Sequence, residues 1–216
     1  MICGTIHKDI DQGTPEWHAL RCGKVTASRL GAVMAKGRNG APSATRATYM
    51  GELIAERLSG VQQDGFVSAA MQRGKDVEPE ARAAYAFYAS VDLETVAFVD
   101  HPTIAMAGCS PDTLAGTNGL VEIKCPNSST HIDTLLGAAI DRDYLLQMSW
   151  QMSCTGRAWC DFVSYDNRLP EHMRLHVRRV VRDDVLIGQI ETEVRAFIAE
   201  LEAKVAALHA KFPEAA

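Results

Sequence analysis

Cys109-Ser110-Pro111-Asp112, a short loop holding Asn118-Gly119, and Leu120-Val121-Glu122-Ile123-Lys124-Cys125-Pro126 form the stretch from which the fold can be read. Residues 120–125 have the length and apolar content of a strand, and Asn118-Gly119 ahead of them is a strong hairpin signal. Residues 103–110 read as the strand before the hairpin. Side chains two apart on a strand share a face, so Glu122 and Lys124 point the same way. Pairing across the hairpin brings Asp112, at the end of the preceding strand, beside them.

Outward from this block the pattern changes period. Residues 43–59 read as a helix with Met50, Leu53, Ile54 and Leu58 on one face and Ser59-Gly60 as its stop. A second helical segment is expected over 80–89, with Pro79 near its first turn because an interior proline breaks or kinks a helix. Val91, Leu93 and the run 96–99 are strand-like and lead to a turn at Asp100-His101-Pro102. Helices fit residues 130–137 and 144–154, strands fit 158–165 and 173–181, and a last helix starts near Asp183 and runs to about 211. In that helix Ile190, Val194, Phe197, Leu201, Val205 and Leu208 recur at helical steps, with Glu191/Arg195 and Glu200/Lys204 as solvated pairs. Helices flanking a central block of strands make an α/β or α+β layer architecture.

The chain has 216 residues, 47% apolar and 23% charged, which suits one ordinary globular domain and excludes disorder or membrane spans as the main theme. Lys plus Arg against Asp plus Glu is 22 to 27, a net charge of −5. That argues against a surface that coats DNA or anionic lipid throughout, while leaving room for a local basic groove. Six cysteines at 3, 22, 109, 125, 154 and 160 lack zinc-knuckle, redox-pair or iron–sulfur spacing, and free thiols in a reducing cytosol are expected. The start has no long apolar run, so no signal peptide or anchor is expected, and the location is taken as cytoplasmic.

Two carboxylates converging with one lysine are a hard-oxygen site for Mg²⁺ or Mn²⁺ with an ammonium at hand. Phosphodiester hydrolysis needs those parts: polarisation of the phosphate, an acidified water, and a cation where charge develops. An isolated Glu-x-Lys is common on surface strands. Pro-Asp ahead of a hairpin, with Glu-x-Lys and interleaved apolar residues on the return strand, is the PD-(D/E)xK nuclease pattern.

Further motifs occur in order around it: Trp17-His18-x-x-Arg21, Thr26-Ala27-Ser28, Arg73-Gly74-Lys75 with Glu78, and the Cys109–Asp112 and Leu120–Pro126 segments. This string resembles the phage lambda exonuclease (YqaJ-like alkaline exonuclease) family over about residues 13–197. The resemblance implies a restriction-endonuclease-like core with a central mixed β-sheet flanked by helices. It implies Mg²⁺-dependent 5′ to 3′ digestion of one strand of linear double-stranded DNA, a ring-shaped homotrimer, and handover of 3′ tails to a single-strand annealing recombinase. Carried onto this sequence, Asp112, Glu122 and the Ile123 carbonyl resemble the metal ligands, with two ions per site. Lys124 resembles the catalytic lysine, Glu78 the acid completing the second metal site, and Gln147 the glutamine that orients the active-site water. Arg21, Ser28 and Ser110 resemble the pocket for the terminal 5′-phosphate, chemistry that a forked guanidinium and two hydroxyls suit. Arg38, in the Lys36–Gly40 loop, resembles a DNA-contacting arm, and Met71 stands where the family has an apolar wedge, although a buried helix contact is the expectation from sequence alone.

The sequence departs from the family in two places. Pro79 directly follows Glu78 and disfavours the α conformation there, and Arg73, read as DNA-binding, stands where the lambda enzyme has an aromatic residue. His101 and the three tryptophans are read as structural, and Arg174, Arg178, Arg179 and Arg182 as a channel lining, a solvent-facing strand edge or a trimer contact. The competing functions are a structure- or site-specific endonuclease on the same core, and a DNA-end-binding module without catalysis.

Overall fold

The computed structural model describes residues 3–38, 41–63 and 68–213. A two-residue strand, β1 (Ile6–His7), leads to helix α1 (Pro15–Arg21), whose Thr14 cap accepts from Trp17 N and whose first residue is a proline. Strand β2 (Val25–Thr26) follows, then a 3₁₀ turn over Ala27–Arg29 and the short α2 (Leu30–Val33). Helix α3 (Ala44–Ser59) is capped by Ser43 and closed by Gly60 at φ 71°, the stop expected from the sequence.

Helix α4 (Ala69–Ala89) overturns one expectation, because it starts eleven residues before Glu80 and carries Pro79 in its interior. Pro79 cannot donate to the Lys75 carbonyl, but Lys75 and Pro79 both lie on the exposed side, where water can serve that oxygen. Glu78 is therefore helical despite the proline after it.

Strands β3 (Leu93–Glu94), β4 (Phe98–Asp100), β5 (Ala107–Cys109), β6 (Thr113–Ala115) and β7 (Gly119–Lys124) come next. They are followed by α5 (Ser128–Leu135), α6 (Arg142–Thr155), β8 (Trp159–Tyr165), β9 (Leu175–Val181) and α7 (Asp184–Lys211).

The strands form two mixed sheets where one was expected: β1-β4-β5-β2, with β2 parallel to β5, and β3-β6-β7-β8-β9, with β7 parallel to β8. The break falls at Ser110-Pro111-Asp112, between β5 and β6, where buried Pro111 has no N–H to offer a ladder. The hairpin partner of β7 is thus the three-residue β6 after Asp112, in register Thr113↔Val121, and not the strand before it. Residues 103–106 and Ser110 lie outside the strand, so β5 is shorter than read from sequence.

Strand β7 is buried on both faces. Leu120 joins the larger core with Trp150, Met148 and Phe197, while Val121 and Ile123 pack with Ala81 and Tyr85 of α4. Helix α6 touches both sheets and is buried from Leu146 through Thr155. The architecture is α/β, with helices flanking the strands, and no described helix is long and apolar enough to cross a membrane.

Candidate active site

Strand alternation puts Glu122 on the Leu120 side of β7, facing α6, in a position that would otherwise be apolar core. Its carboxylate is wholly buried and hydrogen-bonded at both oxygens. Lys124 Nζ and Gln147 Nε2 (2.7 Å) donate to Oε1, and Gln151 Nε2 donates to Oε2 at 2.6 Å. Asp112, just ahead of β6, accepts from the Ile123 N–H at 2.6 Å through Oδ2, which fixes it across the hairpin from Glu122 and Lys124. Its Oδ1 takes no hydrogen bond from the described residues.

Burial, and then the neighbouring Glu122 charge, push the Asp112 carboxyl well above the ordinary carboxylate range, against the pull of Lys124. Burial would lower Lys124, yet Glu122 and Asp112 together raise it, so its amine is a firmly held ammonium and not a base. The ammonium also sits 4.8 Å from the Tyr144 ring centroid. Glu78 lines, with Asp112, Lys75 and Arg82, a cavity of about 490 Å³. It pairs with Arg82 one turn on. Burial raises the Glu78 carboxyl despite Arg82, and Glu122 adds to the rise.

Buried carboxylates whose charges raise one another's pKa suit a divalent cation. Among the described residues no three His, Cys, Asp or Glu side chains form a ready cage. Mg²⁺ does not need one, since it binds through one or two carboxylates and keeps several waters. Asp112, with a free oxygen, and Glu122 match that donor set.

A second cluster lies on the other side of Pro111. The Arg21 guanidinium stacks 4.1 Å from the Trp17 ring centroid and donates Nη1 to Ser110 Oγ at 2.9 Å. Trp17 Nε1 is shared between Ser110 Oγ and the Ala97 carbonyl, each at 3.0 Å. The Ser110 hydroxyl donates its own proton to Ala97 O at 2.7 Å, so it acts as an acceptor that pins Arg21. Arg21 Nε is buried without a partner, and Nη2 takes no acceptor among the described residues.

A model of the YqaJ-like viral recombinase domain matches residues 16–158, which contain every residue of these two clusters. The chain belongs to the YqaJ-like viral recombinase family. An alkaline exonuclease from Laribacter hongkongensis is 52% identical and superposes with a TM-score of 0.86 over 92% of this chain and 97% of that one. The same protein has been solved in complex with dAMP. A phage-related exonuclease from Haemophilus somnus 129PT, 17% identical, shares the fold with a TM-score of 0.69 over 86% of this chain and 96% of that one. No curated protein matches the chain.

Other expected site residues of this YqaJ-like chain are placed less centrally. Ser28 is exposed in the 3₁₀ turn, at the same end of the parallel β2/β5 pair as Ser110, with no hydrogen bond to Arg21 or Ser110. Arg38 is exposed, and Asn39-Gly40 of its loop lie outside the described residues. Met71 is 53% exposed in the first turn of α4, so the buried contact expected from sequence is not formed. Arg73 gives its guanidinium to the Cys125 and Pro126 carbonyls and to Asp166 and Asn167, tying α4 to the ends of β7 and β8. Arg174, Arg178, Arg179 and Arg182 all donate to protein acceptors, Arg179 in a forked pair with buried Asp161. His101 is structural as expected, stacked on Trp150 and bonded to Ser153.

Sequence reasoning missed Gln151, Arg82 and the part Trp17 plays in the YqaJ-like site. Gln151 and Arg82 each follow a recognised residue by four on a helix, which was the available signal.

Proposed function

We propose that this protein is a deoxyribonuclease, an Mg²⁺-dependent exonuclease that digests one strand of linear double-stranded DNA from 5′-phosphorylated ends in the 5′ to 3′ direction. The observation that carries the reading is the adjacency of an arginine-centred anion pocket at Ser110 and a carboxylate–lysine site at Asp112, with only Pro111 between them in the chain. The likeness to an alkaline exonuclease and to a dAMP complex of that protein supports it.

In this mechanism Arg21, held flat by Trp17 and anchored on Ser110, takes the terminal phosphate through Nη2. Ser28 would complete the pocket, and Arg38 and Met71 would contact the incoming duplex, whereas Arg73, its guanidinium bonded to Cys125, Pro126, Asp166 and Asn167, would act on DNA only through the helix it anchors. Asp112, Glu122 and the Ile123 carbonyl would hold one Mg²⁺ (or Mn²⁺), and Glu78 would complete a second site. The chemistry such ions supply when bound is polarisation of the scissile phosphate and acidification of a water. Gln147 donates to Glu122 and keeps its Oε1 free of protein donors among the described residues, so it can accept from and orient that water. The Lys124 ammonium stabilises negative charge as it develops on the phosphate oxygens. The same reading includes a homotrimeric ring and delivery of 3′ single-stranded tails to an annealing recombinase.

The test is nucleotide release, with Mg²⁺ or EDTA, from linear duplex bearing 5′-phosphate or 5′-hydroxyl, from single strand and from closed circles. Rapid Mg²⁺-dependent release from the 5′-phosphorylated duplex, absent in Asp112→Ala, is expected. Nicking of the closed circle would place the protein among endonucleases instead. Tight end binding without any release would refute catalysis.

A further inference from the structure

Glu122 is a buried carboxylate with no arginine partner, held by three donors of two kinds. On the proposed function Lys124 and Gln147, both on Oε1, have other business with phosphate and water. Gln151 does not. It is 0% exposed, one helical turn beyond Gln147 on the same face of α6, and its Nε2 meets Oε2, the oxygen that Lys124 and Gln147 leave, at 2.6 Å. Its own oxygen has only the weak Cys160 thiol as a donor, at 3.9 Å. Burying an amide this deeply is costly unless it is hydrogen-bonded, and here the bond that satisfies it is the one to Glu122.

The terminal torsion of a glutamate is broad and roughly two-fold, so a carboxylate held at one oxygen alone can rotate away from a fixed direction. A donor on the other oxygen removes that freedom. We infer that Gln151 is a positioning residue that grips Glu122 by Oε2, keeps Oε1 aimed at the reaction site, and thereby sets the affinity of the site for a divalent cation. This rests on the proposed metal-dependent reading. It predicts a residue that never touches substrate yet controls metal occupancy, as partners behind metal ligands do at a typical cost of about 10- to 100-fold in affinity when removed.

The experiment uses the full chain. Mn²⁺ binding is measured by calorimetry for wild type, Gln151→Met, which keeps volume and removes the donor, and Gln151→Glu, which is isosteric and turns attraction into repulsion. Both variants are expected to weaken Mn²⁺ by about 10-fold or more. Gln151→Met is expected to regain near wild-type kcat when Mg²⁺ is raised, a rescue that a purely structural lesion would not allow. In the wild-type protein, the Gln151 side-chain amide resonances are expected to shift on Mg²⁺ addition, a readout that needs no variant to fold. Unchanged Mn²⁺ affinity in folded Gln151→Met, or unmoved Gln151 resonances at saturating Mg²⁺, would overturn the inference while the nuclease reading stands. Wild type that neither binds Mn²⁺ nor releases nucleotide would overturn both.

Discussion

Replacing Arg21 by alanine should separate the grip on the 5′ end from the chemistry of cutting. The guanidinium is stacked 4.1 Å from the Trp17 ring centroid and bonded through Nη1 to Ser110, so its orientation is set before any DNA arrives. Because the Ser110 proton is already given to Ala97 O, Arg21 is the principal donor left for an anion in this cluster. A hydrogen bond to a charged group contributes about 1.5–3 kcal/mol, or roughly 10- to 150-fold. Arg21→Ala should therefore lower kcat/KM on 5′-phosphorylated duplex by about that factor and leave 5′-hydroxyl duplex within about 3-fold. Arg21→Lys should recover part of the loss, since it restores charge without the fork. Initial rates of nucleotide release from matched duplexes decide the matter. An equal fall on both ends, or an unchanged preference, would refute the assignment of Arg21 to the terminal phosphate.

Asp112→Asn should cut Mg²⁺-dependent release by at least about 100-fold, several kcal/mol of transition-state stabilisation, while gel-shift binding to DNA ends persists. Asp166 is wholly buried, and although burial raises its pKa, hydrogen bonds from Arg168 and Ser128 hold the carboxyl below the usual range. Its stabilising effect is then present above the unfolded pKa of about 3.9 and lost as pH falls through the lower folded value. Chemical denaturation at several pH values should show Asp166→Asn to be less stable than wild type at neutral pH, with the gap narrowing in acid. A Cβ at Gly108 would lie 2.4 Å from the Phe98 ring and 2.5 Å from the Val99 carbonyl oxygen. Gly108→Ala should therefore cost about 1–3 kcal/mol in urea unfolding, and an unchanged midpoint would contradict that packing.

The Glu122–Lys124 face was legible because strand period is a local property, and the caps of α3 and the last helix follow from single side chains. The split into two sheets was not legible. It depends on the parallel pairing of Val25–Thr26 with Ala107–Gly108, partners some eighty residues apart. The hairpin partner of β7 was misread because β6 is three residues long, too short to show alternation against the stronger run before Asp112. Pro79 misled for the opposite reason. The local rule is sound, but the cost falls on a solvated carbonyl, and α4 is held on its inner side by Ala81 and Tyr85. Asp112, Glu122 and Lys124 could be read as a metal site from their own chemistry, the roles of Glu78, Ile123 and Gln147 came from resemblance, and the clamp by Gln151 became visible only once α6 lay across β7.

The three-residue bridge between the sheets also acts as a gauge of length. Two backbone steps span at most about 7 Å, and the buried proline between them, with its locked φ, makes the span stiff. On the proposed reading, one end of that bridge marks where the strand terminus is seated and the other where its next linkage is broken. On that reading the short, stiff bridge would keep the two places a fixed distance apart. The size of the released fragment would then be dictated by covalent geometry, so lengthening the bridge should change what is cut off before it changes how fast.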